Sequence, residues 1–256
     1  IQPDGTKKPW QIHNTRKLDG IRDEIDALCL PEIEKAVALT SLILAMDEVD
    51  STLGHFTSYL KDWSSRSYKE MRLKVPKIFE NTEENVVLKG DIFDSMKNIA
   101  VDFAYLDPPY GSNNEKMPPS RVRYASYYHV WATICKNDKP PVFGAALRRE
   151  DTSDRVAATV FEEFRKDNDG HFIAVKAIEK LIQNVNAKYV ALSYSSGGKA
   201  TAEELNDILN RHGKLIKTIE LDYKKNVMAD MKWTNEWLRD AEEPNREFIF
   251  LIDKQA

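Results

Sequence analysis

The chain has 256 residues, a formal net charge of −4, 42% hydrophobic and 30% charged residues. That balance belongs to an ordinary globular protein of one large domain or one and a half, and it excludes a strongly basic nucleic-acid binder, although a local patch of charge still steers. Its two cysteines, Cys29 and Cys135, form neither a disulfide framework nor a zinc site, so a cytoplasmic setting is expected. No apolar run is long enough to span a bilayer and nothing resembles a signal peptide, so no membrane partner is expected.

In chain order, Asn14 reads as an N-cap for a helix carrying Leu18, Ile21, Ile25 and Leu28, broken at Pro31. Ala36 to Val49 is a second, strongly apolar helix, Leu53 to Leu60 is aromatic and mixed, and Lys61 to Met71 is basic and polar. Pro76 to Glu84 reads as a linker, which divides the chain into a helical region, 1–84, and a second domain, 85–256. From Asn85 the rhythm changes. Val86 to Leu88, Phe103 to Leu106, Lys188 to Tyr194, Leu215 to Tyr223 and Glu247 to Ile252 read as strands. Ala125 to Ile134, Arg155 to Arg165, His171 to Val185 and Thr201 to Arg211 read as helices between them. Such alternation predicts an α/β fold with a mostly parallel sheet and helices on both faces. It also puts Asp91, Asp107 and Ser193 to Gly198 at the carboxyl edge of the sheet, where open α/β sheets bind ligands.

Leu106 is followed by Asp107-Pro108-Pro109-Tyr110. A carboxylate accepts hydrogen bonds, the prolines fix φ and leave carbonyls without N–H groups, and the tyrosine ring offers a stacking face. The simple reading is a strand stopped by a turn. The chemical reading is a site for a planar heteroaromatic with an exocyclic NH2, such as adenine. Two acceptors holding both amine hydrogens localise the nitrogen lone pair, so that a nitrogen aligned with an activated methyl attacks it directly, with no metal and no covalent enzyme intermediate.

The Asp-Pro-Pro-Tyr motif and its surroundings resemble the D12 class of DNA adenine-N6 methyltransferases. Val86 to Asp94 is similar to the strand and acidic turn that precede the motif, and Ser193-Tyr194-Ser195 with Gly197 or Gly198 to a later motif strand. Asn14 to Ile25, Leu53 to Trp63 and Glu247 to Ile252 also resemble parts of that family, so the likeness runs over nearly the whole chain. The resemblance implies a Rossmann-like methyltransferase sheet and S-adenosylmethionine as methyl donor. It implies that Asp107 and the Pro108 carbonyl hold the target amine beside Pro109, that Tyr110 stacks on the flipped base, and that Asp91, Ile92 and Asp94 serve the adenosyl group. A capped turn after a strand is the plainer reading of Asp91.

One family feature is missing. Upstream of Asp91 the glycines are Gly5, Gly20, Gly54 and Gly90, never in the spacing Phe-x-Gly-x-Gly that cradles the methionine part of the cofactor. With a first residue, Ile1, that is not Met, this gives the expectation that the chain is the C-terminal part of a longer methyltransferase, its missing strands lying upstream or on a second chain.

Double-stranded DNA is the expected partner, with a cognate restriction endonuclease as a possible second. Lys116, Arg121 and Arg123, next to Tyr124, interleave cations with aromatics as phosphate contact and base stacking require. A duplex hides N6 in the stack, so the adenine must be flipped out. His129 reads as a satisfied structural histidine, Trp131 as packing, Arg148-Arg149 as surface charge, and the Lys61 to Lys74 run as a solvated face or a second DNA element. Two alternatives stay open: an RNA adenine methyltransferase, and a DNA-binding subunit or fragment without a complete cofactor site.

Overall fold

The computed structural model describes residues 8–57, 59–60, 62–111, 124–153, 159–163, 165–222 and 246–255. Its elements are α1 (Ile12–Ala27), α2 (Glu32–Asp47), α3 (Ile92–Ser95), β1 (Ala100–Leu106), α4 (Tyr124–Tyr127), α5 (His129–Lys136), β2 (Val142–Phe143), β3 (Arg148–Arg149), α6 (Ile173–Asn184), β4 (Asn186–Ser195), α7 (Ala202–His212), β5 (Lys214–Asp222) and β6 (Arg246–Asp253). The chain forms two compact units, one of residues 1–84 with 124–156, the other of 85–123 with 157–256. Residues 124–156 thus group with the helical region rather than with the sheet. Among the described residues no helix is long and apolar enough to cross a membrane.

The first unit is helical because its apolar residues recur at helical spacing. Leu18 and Ile25 of α1 and Leu42 and Met46 of α2 share a core with Trp10 and Phe56. Asn14 is not a cap. Gln11 holds that position, and Asn14 lies inside the helix, fully buried, donating through Nδ2 to the Lys69 carbonyl at 2.8 Å and accepting the Met71 N–H at 2.9 Å. A polar side chain was needed there to satisfy an extended segment that packs on the helix. Buried Arg22 donates to the carbonyls of Ile134 and Cys135 at 2.6 and 3.2 Å, a cation placed on the C-terminal end of α5. Trp131 packs edge-on to Phe56 at 4.9 Å, and buried His129 bonds the Phe56 carbonyl at 3.1 Å. Arg149 is not surface charge. It is buried, with ion pairs to Asp138 at 2.6 Å and Asp151 at 2.8 Å. Part of the basic run is also paired, Arg66 with Asp50 and Lys74 with Glu48.

The second unit is built on a four-stranded sheet of order β1-β4-β6-β5. Three of its strands, β1, β4 and β5, run in one direction, as expected of a mostly parallel sheet, and β6 enters antiparallel between β4 and β5, so that β1–β4 is the parallel ladder among the described strands. The register aligns Ala104 with Val190 and Leu106 with Leu192, then Val190 with Ile252 and Leu192 with Phe250. These residues share one face and one core with Ile178 and Ile182 of α6 and Leu205 and Leu209 of α7. Each fully buried aliphatic side chain of this kind contributes about 1.5–3 kcal/mol. Thr201 and Glu204 form a reciprocal capping box at the start of α7.

Two stretches differ from the sequence reading. Val86 to Leu88 is in no ladder, and Val87 is 93% exposed. Its backbone meets no neighbouring strand among the described residues, and a lone strand is not stable in water. The helix expected over Arg155 to Arg165 is, where described, a short 3₁₀ turn, Val160–Glu162, started by the Thr159 side chain. At the other end of the sheet β1 is the edge strand, and Val101, Phe103 and Tyr105, all on one face, are 42%, 53% and 56% exposed.

Candidate active site

β1 stops after Leu106 because Pro108 and Pro109 have no N–H to donate to a ladder. The chain then turns through Gly111 at φ +65°, where a glycine is favoured and where a Cβ would stand 2.9 Å from Lys199 Cγ. The loop is clamped from behind. The Tyr110 carbonyl accepts from Lys199 N at 2.8 Å and from the Tyr194 hydroxyl at 3.0 Å, and that hydroxyl accepts the Ala200 N–H at 3.2 Å. Tyr194 is fully buried, and Gly198 lets the chain pass over its ring: a Cβ there would lie 2.4 Å from Tyr194 Cε1. The late strand and its glycines thus hold the Asp-Pro-Pro-Tyr backbone in place.

A cavity of 610 Å³ opens at this end of β1, lined by Asp91, Ile92, Asp107, Pro108 and Pro109 among others. Asp107 is exposed beside it, and Pro108 is buried. Among the described residues nothing donates to the Pro108 carbonyl. Two acids, Asp91 and Asp107, are the charged lining groups, while Phe93, Leu106, Phe161 and Leu181 supply apolar walls. Tyr110 does not line the cavity. Its ring is 4.9 Å from that of Tyr194, and its hydroxyl lies 2.6 Å from Asp107 Oδ1, 2.8 Å from Glu247 Oε1 and 3.0 Å from Ser193 Oγ. Partial burial first, then hydrogen bonds to the two carboxylates, push the phenol pKa far up, outweighing the opposite pull of Ser193, so the ring stays a neutral donor.

Asp91 caps α3, accepting the Phe93 N–H at 2.8 Å through one carboxylate oxygen. Ile92 follows on the wall. Asp94 is off the cavity, paired with Lys97 at 2.6 Å, and that bond lowers its pKa. Tyr124 belongs to the first unit, where it pairs with the Tyr128 ring at 5.9 Å and lines a separate cavity with Trp131 and Arg149. Lys116, Arg121 and Arg123 lie outside the described residues. Sequence reasoning missed Glu247 and the 3₁₀ turn with Phe161. The strand at Glu247 was foreseeable, but nothing in the sequence tied its first acid to a tyrosine 137 residues away.

The family model for the D12 class N6 adenine-specific DNA methyltransferases matches residues 6–196, and the chain belongs to that family. The chain is 29% identical over 211 residues to the modification methylase StsI of Streptococcus sanguinis, covering 81% of this chain and 29% of that protein. It is 26% identical over 249 residues to the type II methyltransferase M.FokI of Planomicrobium okeanokoites, covering 96% and 35%. To M.NlaIII of Neisseria lactamica, another type II methyltransferase, it is 24% identical over 217 residues, covering 83% and 58%. The chain therefore spans about a third of the length of the first two relatives. No solved structure matches it.

Proposed function

We propose that this chain carries the target-base half of a site-specific DNA adenine-N6 methyltransferase of the restriction–modification kind, acting on a flipped adenine in duplex DNA. The observation that supports the reading is that Asp107 and Pro108 both line a 610 Å³ cavity at the end of β1. Asp107 accepts one amine hydrogen and the Pro108 carbonyl the other. The carboxylate then takes up the proton that the substituted nitrogen sheds. Tyr110 steadies Asp107 through its hydroxyl, and the prolines keep both acceptors oriented, so little is reorganised when the base arrives.

S-adenosylmethionine, when bound, supplies an electrophilic methyl on a cationic sulfur. The described lining fits part of it. The unused Asp91 oxygen suits an adenosyl hydroxyl, Ile92 and Phe93 suit its ring, and acids without a lining cation suit a sulfonium. Asp94, paired with Lys97, takes no direct part in this scheme. Among the described lining residues none suits the amino-acid end. The exposed edge of β1 and the unpaired Val86 to Leu88 are where further strands bearing a glycine turn would join, from the same polypeptide or another. The first unit, with Tyr124, then reads the target sequence, and Lys116, Arg121 and Arg123 contact phosphate. Cys29 and Cys135, free and exposed, suit a reducing cytoplasm.

A second reading, a DNA-binding subunit with no cofactor site of its own, is favoured by the absence of the glycine motif. The test is transfer of tritium from labelled S-adenosylmethionine to duplex DNA by the protein expressed from the intact gene. Labelling of duplex DNA supports the proposal. DNA binding without labelling supports the second reading, and labelling confined to RNA overturns both.

A further inference from the structure

One phenolic proton faces two carboxylates. In the structure Tyr110 Oη is within 2.6 Å of Asp107 Oδ1 and 2.8 Å of Glu247 Oε1, and Ser193 Oγ is 3.0 Å from the phenol and 3.2 Å from the same Glu247 oxygen. An ionised carboxylate only accepts, so the single O–H satisfies one acid at a time while Ser193 donates to Glu247. Strand register fixes this meeting. Ser195 faces Glu247 and Ser193 faces Ile249, so Ser193 and Glu247 are diagonal neighbours on the sheet face opposite Tyr194 and Phe248.

We propose that Glu247, with Ser193, is a positioning residue that draws the Tyr110 hydroxyl off Asp107 when the target amine docks, leaving the full charge of Asp107 to the amine. The inference rests on the adenine-N6 reading of the site. A phenol at 2.6 Å draws on the same negative charge that must polarise the amine. Turning the O–H towards Glu247 needs rotation about one C–O bond and exchanges one charge-assisted hydrogen bond for another of nearly equal length. Without Glu247 the hydroxyl has only the neutral Ser193 oxygen as an alternative, so it stays on Asp107 and competes with the substrate. A charged acceptor outweighs a neutral one by roughly tenfold in such a contest.

The test is a double-mutant cycle on the protein expressed from the intact gene, read as the single-turnover rate of adenine methylation at saturating DNA. Glu247→Ala is expected to slow the step about tenfold, and Glu247→Gln, which keeps an acceptor oxygen, to recover most of it. In a Tyr110→Phe background, which has no hydroxyl to divert, Glu247→Ala is expected to cost nothing further. A second readout is the fluorescence gain when 2-aminopurine replaces the target adenine. That base has no amine at C6 to compete for Asp107, so its docking is expected to be unchanged by Glu247→Ala. Equal losses in both backgrounds, or an equal loss of 2-aminopurine docking, assign Glu247 a purely structural role and overturn the hand-off. A wild type that methylates no adenine removes the underlying reading, an outcome distinct from an active wild type with an additive cycle.

Discussion

Replacing Asp107 by Ala separates chemistry from fold more cleanly than any other change in this molecule. The side chain is exposed, and the hydrogen bond seen on it comes from Tyr110, which retains Glu247 and Ser193 as partners after the change. The loop itself is held by the Tyr110 carbonyl, clamped by Lys199 and Tyr194, and by prolines whose φ angles do not depend on Asp107. Thermal unfolding should therefore change little. Activity should not survive. Losing one preorganised group at the reacting centre costs ~3–4 kcal/mol, or about 10²–10³ in rate. Loss of amine alignment adds about another 10², so the single-turnover rate of methyl transfer to duplex DNA should fall by about 10⁴ or more. Asn at the same position keeps an acceptor oxygen but not the charge and should fall between the two. An Asp107→Ala protein that methylates within tenfold of wild type would refute the assigned role.

Three further outcomes follow from the packing and charge of the molecule. Gly198→Ala forces a methyl into the fully buried Tyr194 ring, so urea unfolding should show a loss of about 1–3 kcal/mol, and activity should fall with it because Tyr194 holds the Tyr110 carbonyl. Thr201→Ala removes the half of the capping box on α7 in which the Thr201 hydroxyl accepts the Glu204 N–H, and should lower stability by about 1 kcal/mol, with Ser restoring it. His129 has its pKa held below 6.5, chiefly by burial, so the unfolded chain takes up its proton first. Stability is therefore full above about 6.5 and falls as pH drops towards the folded value. Urea midpoints between pH 7 and 5 should decline, and less steeply in His129→Gln.

The strands that bury one face were legible because their apolar runs are short and end in polar, glycine or proline residues, as in Phe103 to Leu106 and Lys188 to Tyr194. The helix starting at Thr201 and the satisfied His129 were also readable. What escaped depends on partners distant in sequence. Asn14 looked like a cap, but its partners are the backbone of residues 69–71. Arg149 looked like surface charge, and only the placement of Asp138 and Asp151 makes its burial tolerable. Val86 to Leu88 has the composition of a strand, yet composition does not supply a neighbour to pair with. The place of Asp107, Pro108 and Pro109 at the end of β1 could be read from the motif. The contact of Glu247 with Tyr110 could not, since it comes from the β4–β6 register.

The most direct measurement is nucleoside mass spectrometry on DNA from a methylation-free host expressing the intact gene, beside its Asp107→Ala counterpart. N6-methyl-2′-deoxyadenosine in the first and none in the second is the predicted result. Methylcytosine in place of methyladenine, no methylated base at all, or methyladenine that persists without the Asp107 carboxylate would contradict the account.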